Sequence, residues 1–445
     1  MMNRRTLLQG LVAGGGASLL LRSLATGLPL SFLLDPSRAR ADDPPPVRSV
    51  LLILNEDGDP FNANCPGSYV EGVTHHPDLV KTEVKLGAHT SHAAPGWKAL
   101  LEGNPGLGDR MAIIHHATHA VAHNQYPSVL TLQGAAKGEE GNGEECLPTL
   151  LAQALFTPGT HIQREPIALA PAPLTSLGNP LPSYDPYSLQ QLFSPVSSPG
   201  DLAFLTDEGM VEARAKTLDA LYAQARASGR PTQKRFLERY ATSREEARQL
   251  ADKLRADLAS LPAPDEEGFT YPAQVTAALA LLRANVSPVV TLSLPFGGDN
   301  HNDAGLGREL EETTLGLGAI ALIWQKLHDM QLQDTVTLAS LNTFGRSLAM
   351  AGLTGRNHNP DHHAMLLIGP RVRGGVYGGP VNDGKRFGAG AFDPATGVVS
   401  PGAAIQPGQS LVAAGRTLAA AAGLTSAQLD KRIAGDALVT GALLG

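Results

Sequence analysis

The chain reads as α/β, with an open sheet whose central strands are parallel and whose chemistry lies in the loops at their ends. Three observations predict this. Val47–Leu54, Val289–Leu294 and Met365–Ile368 are near-continuous apolar runs of strand length, the pattern of strands buried on both faces. Polar loops rich in Asp, His and Asn adjoin these runs, as open α/β sheets place their chemistry. Between two of the runs, Leu306–Met330 carries Leu310, Leu315, Leu317, Ile320, Ile323 and Leu327 at helical spacing, as a helix returning across a sheet requires.

The first forty residues read as an address. Arg4-Arg5 precede an uncharged stretch, Thr6–Leu21, and Ala39-Arg40-Ala41 offers a small-x-small cleavage site before a proline spacer. This predicts a Tat-type signal peptide over residues 1–41, recognised by the Tat export machinery, with a periplasmic or secreted mature protein. The competing reading is a membrane anchor. Sixteen residues with four glycines fall short of the roughly 20 apolar residues of a spanning helix, so no stable membrane span is expected in the mature form.

The first strand run ends at Asn55-Glu56-Asp57-Gly58-Asp59. Asp57 at a strand end suits a cation ligand, while a D-G pair equally makes a solvated turn. A short helix is expected at Trp97–Leu101 and a second strand at Met111–Ile114. That strand runs into His115, His116, His119 and His123, which serve as metal or substrate groups or stand at the surface. A helix is expected from Ser128 to Gln133 and a strand at Pro166–Ala170. From about 201 to 265 charges alternate at helical spacing, predicting a helical insert on the body at 42–445. Gln274–Leu282 reads as helix, and Ser410–Leu444 as helices on the periphery.

Of 445 residues 42% are hydrophobic, enough for a sizeable core. The net charge is −7, and with five Arg and one Asp in residues 1–41 the remainder carries 30 basic and 41 acidic groups. An acidic body argues against nucleic-acid binding. Cys65 and Cys146 sit in Gly- and Pro-rich loops and would enter an oxidising compartment, as a disulfide or as two separate thiols.

Asp299 and His301, in the loop after Val289–Leu294, and His358, in a later loop, form a competent divalent-metal set for zinc, manganese or calcium. Arg346 adds a fork of donors suited to phosphate or sulfate. His362 and His363 are adjacent, so at most one is expected to face the site.

The order of these motifs resembles the alkaline phosphatase/sulfatase superfamily, and more closely its exported members in the domain-of-unknown-function 1501 family. The similarity rests on Val50–Leu54 with its acidic turn, Tyr126–Gly134, Gly298-Asp299-Asn300-His301, Thr343–Ser347, and Gly355–Pro360 followed by Gly374–Gly378. It implies a three-layer α/β/α sandwich of alkaline-phosphatase type and a metal-dependent hydrolase acting on an anionic phosphate or sulfate ester, small or polymeric. Asp57, Asp299, His301 and His358 would hold the metal, Arg346 would brace the anion, and His123 or His119 would act as base. Departures are plain. No Cys or Ser nucleophile stands before Tyr126-Pro127-Ser128, with Ser128 and His123 only nearby. Phe344-Gly345-Arg346 replaces an Asp-His pair, and Asn357 stands where Asp is usual. These losses fit a reduced, one-metal site, or a non-catalytic secreted binding or assembly protein on the same scaffold.

Overall fold

The computed structural model describes residues 47–444 apart from 59–60, 140, 142, 159, 194–207, 231–233, 235–251, 264–269, 297 and 351–352. The export signal at 1–41 lies outside the described residues, as does much of the insert expected at 201–265. The chain divides into two compact units. One includes 158–162 and 185–262, with helices Pro186–Phe193 and Glu208–Ser228. Within it Leu254 and Leu258 are buried, and Gln190 Nε2 donates to the Leu258 carbonyl at 2.7 Å.

The other unit comprises 45–157, 163–184 and 263–445 and is a mixed α/β body around a mostly parallel sheet. Its strands are β1 (Ser49–Ile53), β2 (Met111–His116), β3 (Ile167–Ala168), β4 (Val289–Leu292), β5 (Val336–Ser340), β6 (His363–Ile368) and β7 (Gly375–Tyr377). They lie in the order β7-β2-β6-β5-β1-β4-β3. β1 is central: it pairs parallel with β4 (Ile53 opposite Leu292) and with β5 (Ile53 opposite Ser340). Every residue of β1, β2, β4, β5 and β6 is buried, which explains their continuous apolar character.

β6 alone runs against its neighbours, pairing antiparallel with β2 and β5. The direction has a consequence for the site. The loops leaving β1, β4 and β5 emerge at one edge of the sheet, and the loop entering β6 starts from that same edge.

Alternating side chains cover both faces. Val50, Leu52, Ala112, Ile114, Ala339, Met365 and Leu367 pack in one cluster with residues of helices Leu147–Leu155 and Pro407–Ala422. Leu51 and Ile53, pointing the other way, are equally buried. Helix Tyr271–Arg283 packs on β4 and on helix Gly307–Asp329, which in turn meets Pro95–Gly103. Two expectations are corrected. The tail is not peripheral: Pro407–Ala422 is buried along almost its whole length because its small alanines let it sit close against the sheet. The helix at Ser128–Gln133 is Tyr126–Leu130, halted where Leu132 and Gln133 take left-handed backbone.

Cys65 and Cys146 are buried thiols and are not joined to each other. Cys65 Sγ lies 3.3 Å from Ser68 Oγ, and Cys146 Sγ lies 3.1 Å from Thr149 Oγ1. Among the described residues no helix is long and apolar enough to cross a membrane.

Candidate functional site

Asn55, just past β1, ties the three central loops together. Its amide donates to Asn342 Oδ1 at 3.1 Å, and its side-chain Nδ2 donates to the carbonyls of Leu294 at 3.0 Å and Phe296 at 3.2 Å. Thr343 Oγ1 then donates to the Glu56 carbonyl at 2.8 Å. The turn at Gly58 needs glycine: φ is +85°, and a Cβ there would come within 2.5 Å of Phe344 Cε2.

The loop after β4 and the loop before β6 meet backbone to backbone. The Arg356 amide donates to the Asn300 carbonyl at 3.0 Å, and a Cβ on Gly355 would overlap Asn300 and His301 main-chain atoms. A fully buried ion pair clamps this contact. Arg356 Nε donates to Glu309 Oε2 and its NH2 to Oε1 at 2.9 Å, while NH1 donates to the carbonyls of Ser347 and Leu348. Asn64 and Asn300 supply further donors to the Glu309 carboxylate. Charges removed from water persist only when so completely satisfied.

That clamp brings His301 and His358 together. Their Nε2 atoms are 3.0 Å apart. His358 Nδ1 lies 2.8 Å from the Val121 carbonyl, and His301 Nδ1 lies 3.1 Å from Asn357 Oδ1. A ring that donates from Nδ1 keeps its lone pair on Nε2. The two Nε2 atoms thus face each other, with each Nδ1 beside an oxygen acceptor. Asp299 Oδ1 is 3.8 Å from His301 Nε2 and accepts the His301 amide at 3.2 Å. Burial alone would raise the Asp299 carboxyl, but the His301 amide, His301, Arg346 and His123 together hold it below its usual value. Burial, aided by Arg346, His123 and His301, lowers His358, while its bond to Val121 opposes this.

Asp57 and His123 form a neighbouring pair. His123 Nδ1 is 3.5 Å from Asp57 Oδ1 and 3.1 Å from the Glu56 carbonyl, and its ring packs edge-on against those of His358 and Phe344. Phe344 stacks on His358 with centroids 3.9 Å apart. Among the described residues, however, no group of three or more His, Cys, Asp or Glu closes on a single metal position. The set is thus two imidazoles with Asp299 beside them and Asp57 one ring further out.

Arg346 is placed otherwise than an anion clamp needs. Its side chain is fully buried, 3.6 Å from Asp299 Oδ1, and its NH2 donates to the carbonyls of Asp57 and Gly298. It knits the loops after β1 and β4 together. His119 stands apart, exposed in left-handed backbone with its amide on the Pro360 carbonyl. His362 and His363 are both buried away from the cluster. His362 Nε2 is 3.0 Å from His115 Nδ1, and His363 Nδ1 is 3.2 Å from His116 Nε2. Sequence reasoning missed Glu309 and Arg356, for an acid in a helical run reads as a solvated face; it also missed Phe344 as the platform for His358.

Two clefts flank the cluster. One, of about 360 Å³, is lined by Glu56, His123, Tyr126 and Pro171 among others. The second, of about 350 Å³, reaches Asp57, Gly298, Arg308, Glu311 and Glu312.

A model of the family described as "Protein of unknown function (DUF1501)" matches residues 187–389. The matched span carries Asp299, His301, Arg346 and His358 with Glu309 and Arg356; Asp57 and His123 precede it. Among curated proteins none matches the chain.

Proposed function

We propose that this loop cluster binds one divalent cation and hydrolyses a phosphate or sulfate ester, on a scaffold of the alkaline phosphatase/sulfatase type, in a protein exported through the Tat machinery to the periplasm or beyond. The observation that carries the reading is the His301–His358 pair, its two Nε2 atoms 3.0 Å apart with each Nδ1 beside an acceptor. His301 and His358 would hold the cation with Asp299, and Asp57 would lie at the margin. Imidazole donors favour zinc or manganese over calcium, which prefers oxygen. A cation there supplies Lewis-acid polarisation of an ester oxygen.

The chain's own groups do the rest. With Nδ1 engaged at the Glu56 carbonyl, His123 presents Nε2 as a base that takes a proton from the attacking water. Asp57, 3.5 Å from Nδ1, stabilises the imidazolium formed. His123 then returns the proton to the departing alcohol, so water adds across the ester bond and inorganic phosphate or sulfate leaves. Arg346 keeps the loops of Asp57 and Gly298 in register rather than gripping the anion.

A second reading, a non-catalytic binding or assembly protein, is favoured by the burial of Arg346, whose guanidinium is turned to Asp299 and to loop carbonyls rather than to an incoming anion. Metal analysis of the chain from residue 42 onward, with assays on aryl phosphate and aryl sulfate in added zinc, manganese or calcium, separates the two. A chain that binds no metal and turns over neither ester sinks the hydrolase.

A further inference from the structure

β2 and β6 meet through two histidine pairs at the ends nearest the candidate site. His115 Nδ1 lies 3.0 Å from His362 Nε2, and His116 Nε2 lies 3.2 Å from His363 Nδ1. Adjacent residues point to opposite faces of a sheet, so one pair closes each face, and all four rings are fully buried. His115 Nε2, 2.9 Å from the Pro66 carbonyl, must donate there, so its Nδ1 accepts from His362. Two facing nitrogens hold one proton between them. A proton on each sets two N–H groups head to head, and a charge on either ring lies out of water.

Both strands run directly into the loops of the site. From His116 the chain continues to Val121, whose carbonyl accepts from His358 Nδ1, and to His123, whose ring stands edge-on to His358. His358 itself lies five residues before His363. The His119 amide donates to the Pro360 carbonyl at 2.7 Å, so the two loops touch just beyond the strands. His119 also acts on His116. Titratable groups on the elements packed around the rings are engaged elsewhere: Cys65 at Ser68, Arg346 at Asp299, Tyr377 at the Gly441 carbonyl and Arg416 at Asp430. Asp361, one residue before His362, pairs with Arg386.

We propose that these two pairs are an acid-operated latch on the site loops. Charging them parts β2 from β6 at the site edge and draws Val121 and His123 away from His358, while the rest of the sheet stays folded. The latch goes beyond the ester reading and does not depend on it, since it acts on the loops whatever they bind.

Hydrogen–deuterium exchange of the full chain at pH 7 and pH 5.5, with and without about 1 M urea, tests this. Burial keeps His115 at about 4 and His116 at about 3, against about 6.5 once exposed. Each therefore adds about tenfold to opening at pH 5.5, and segments 111–119 and 362–368 are expected to exchange about a hundredfold faster there, after correction for intrinsic rates. A local opening exposes little surface, so urea is expected to leave that rate nearly unchanged while it speeds exchange in β4. In His116→Gln with His363→Gln, and in His115→Gln with His362→Gln, the acceleration is expected to shrink at least about tenfold. No acceleration, an acceleration as urea-dependent as that of β4, or one undiminished in a folded variant overturns the latch. If neither variant folds, the urea comparison on the unchanged chain decides.

Discussion

His301 and His358, 57 positions apart in the chain, face each other Nε2 to Nε2 at 3.0 Å. Neither ring is free to turn away, since His358 is held at Val121 and His301 at Asn357. Under the proposed reading, two imidazoles fixed in this way would supply two ligands to the cation. Replacing either by alanine is expected to lower zinc or manganese affinity by about 10-fold or more, since loss of even an outer-shell partner costs 10–100-fold. Equilibrium dialysis against each metal measures it, and unchanged affinity in both variants would sink the assignment.

Gly355 sets the approach of the two loops. With alanine there, the new methyl overlaps Asn300 and His301 main-chain atoms, and backbone cannot give as a flexible side chain does. A loss of about 1–3 kcal/mol is expected from overpacking, together with weakened metal binding. A Gly355→Ala protein of native stability and native metal affinity would show that the loops meet differently.

The Glu309–Arg356 pair is the brace behind both histidines, fully buried on each side. Glu309→Ala strands a guanidinium without its counter-ion, at an expected cost of about 3–5 kcal/mol. Urea unfolding reads this directly. A loss under about 1 kcal/mol would remove the brace from the account.

The four histidines at the β2–β6 pairing make stability depend on pH. Burial holds His115 down at about 4, against a helping bond to Pro66, and His116 at about 3; His362 and His363 are lowered too, again first by burial. In the unfolded chain these rings titrate near 6.5. Between that value and their native ones the unfolded state binds more protons, so stability is complete above about pH 6.5 and declines as pH falls toward 4. At pH 5.5, one unit below the unfolded value, His115 and His116 each contribute a loss of about 1.4 kcal/mol. His116→Gln should flatten the slope of unfolding free energy between pH 7 and 5. A slope equal to that of the unchanged chain would refute the link.

The sequence by itself determined that β1, β4 and β6 are buried strands, that Gly307–Asp329 is a helix, and that Asp299 and His301 stand in a loop after a strand. These follow from local pattern, because apolar periodicity reports burial within a few residues of itself. His358, expected in a loop, lies in the two-residue strand His358–Asn359, paired antiparallel with Gly345–Arg346. Only the tertiary structure decided the direction of β6, which brings His358 to the same edge as His301; a run such as Met365–Ile368 reads identically in either direction. It alone buried Arg346 under carbonyls, set Glu309 against Arg356, and drew Pro407–Ala422 into the core. Each of those outcomes depends on a partner distant in the chain. A charge or an alanine carries no local mark of what will cover it.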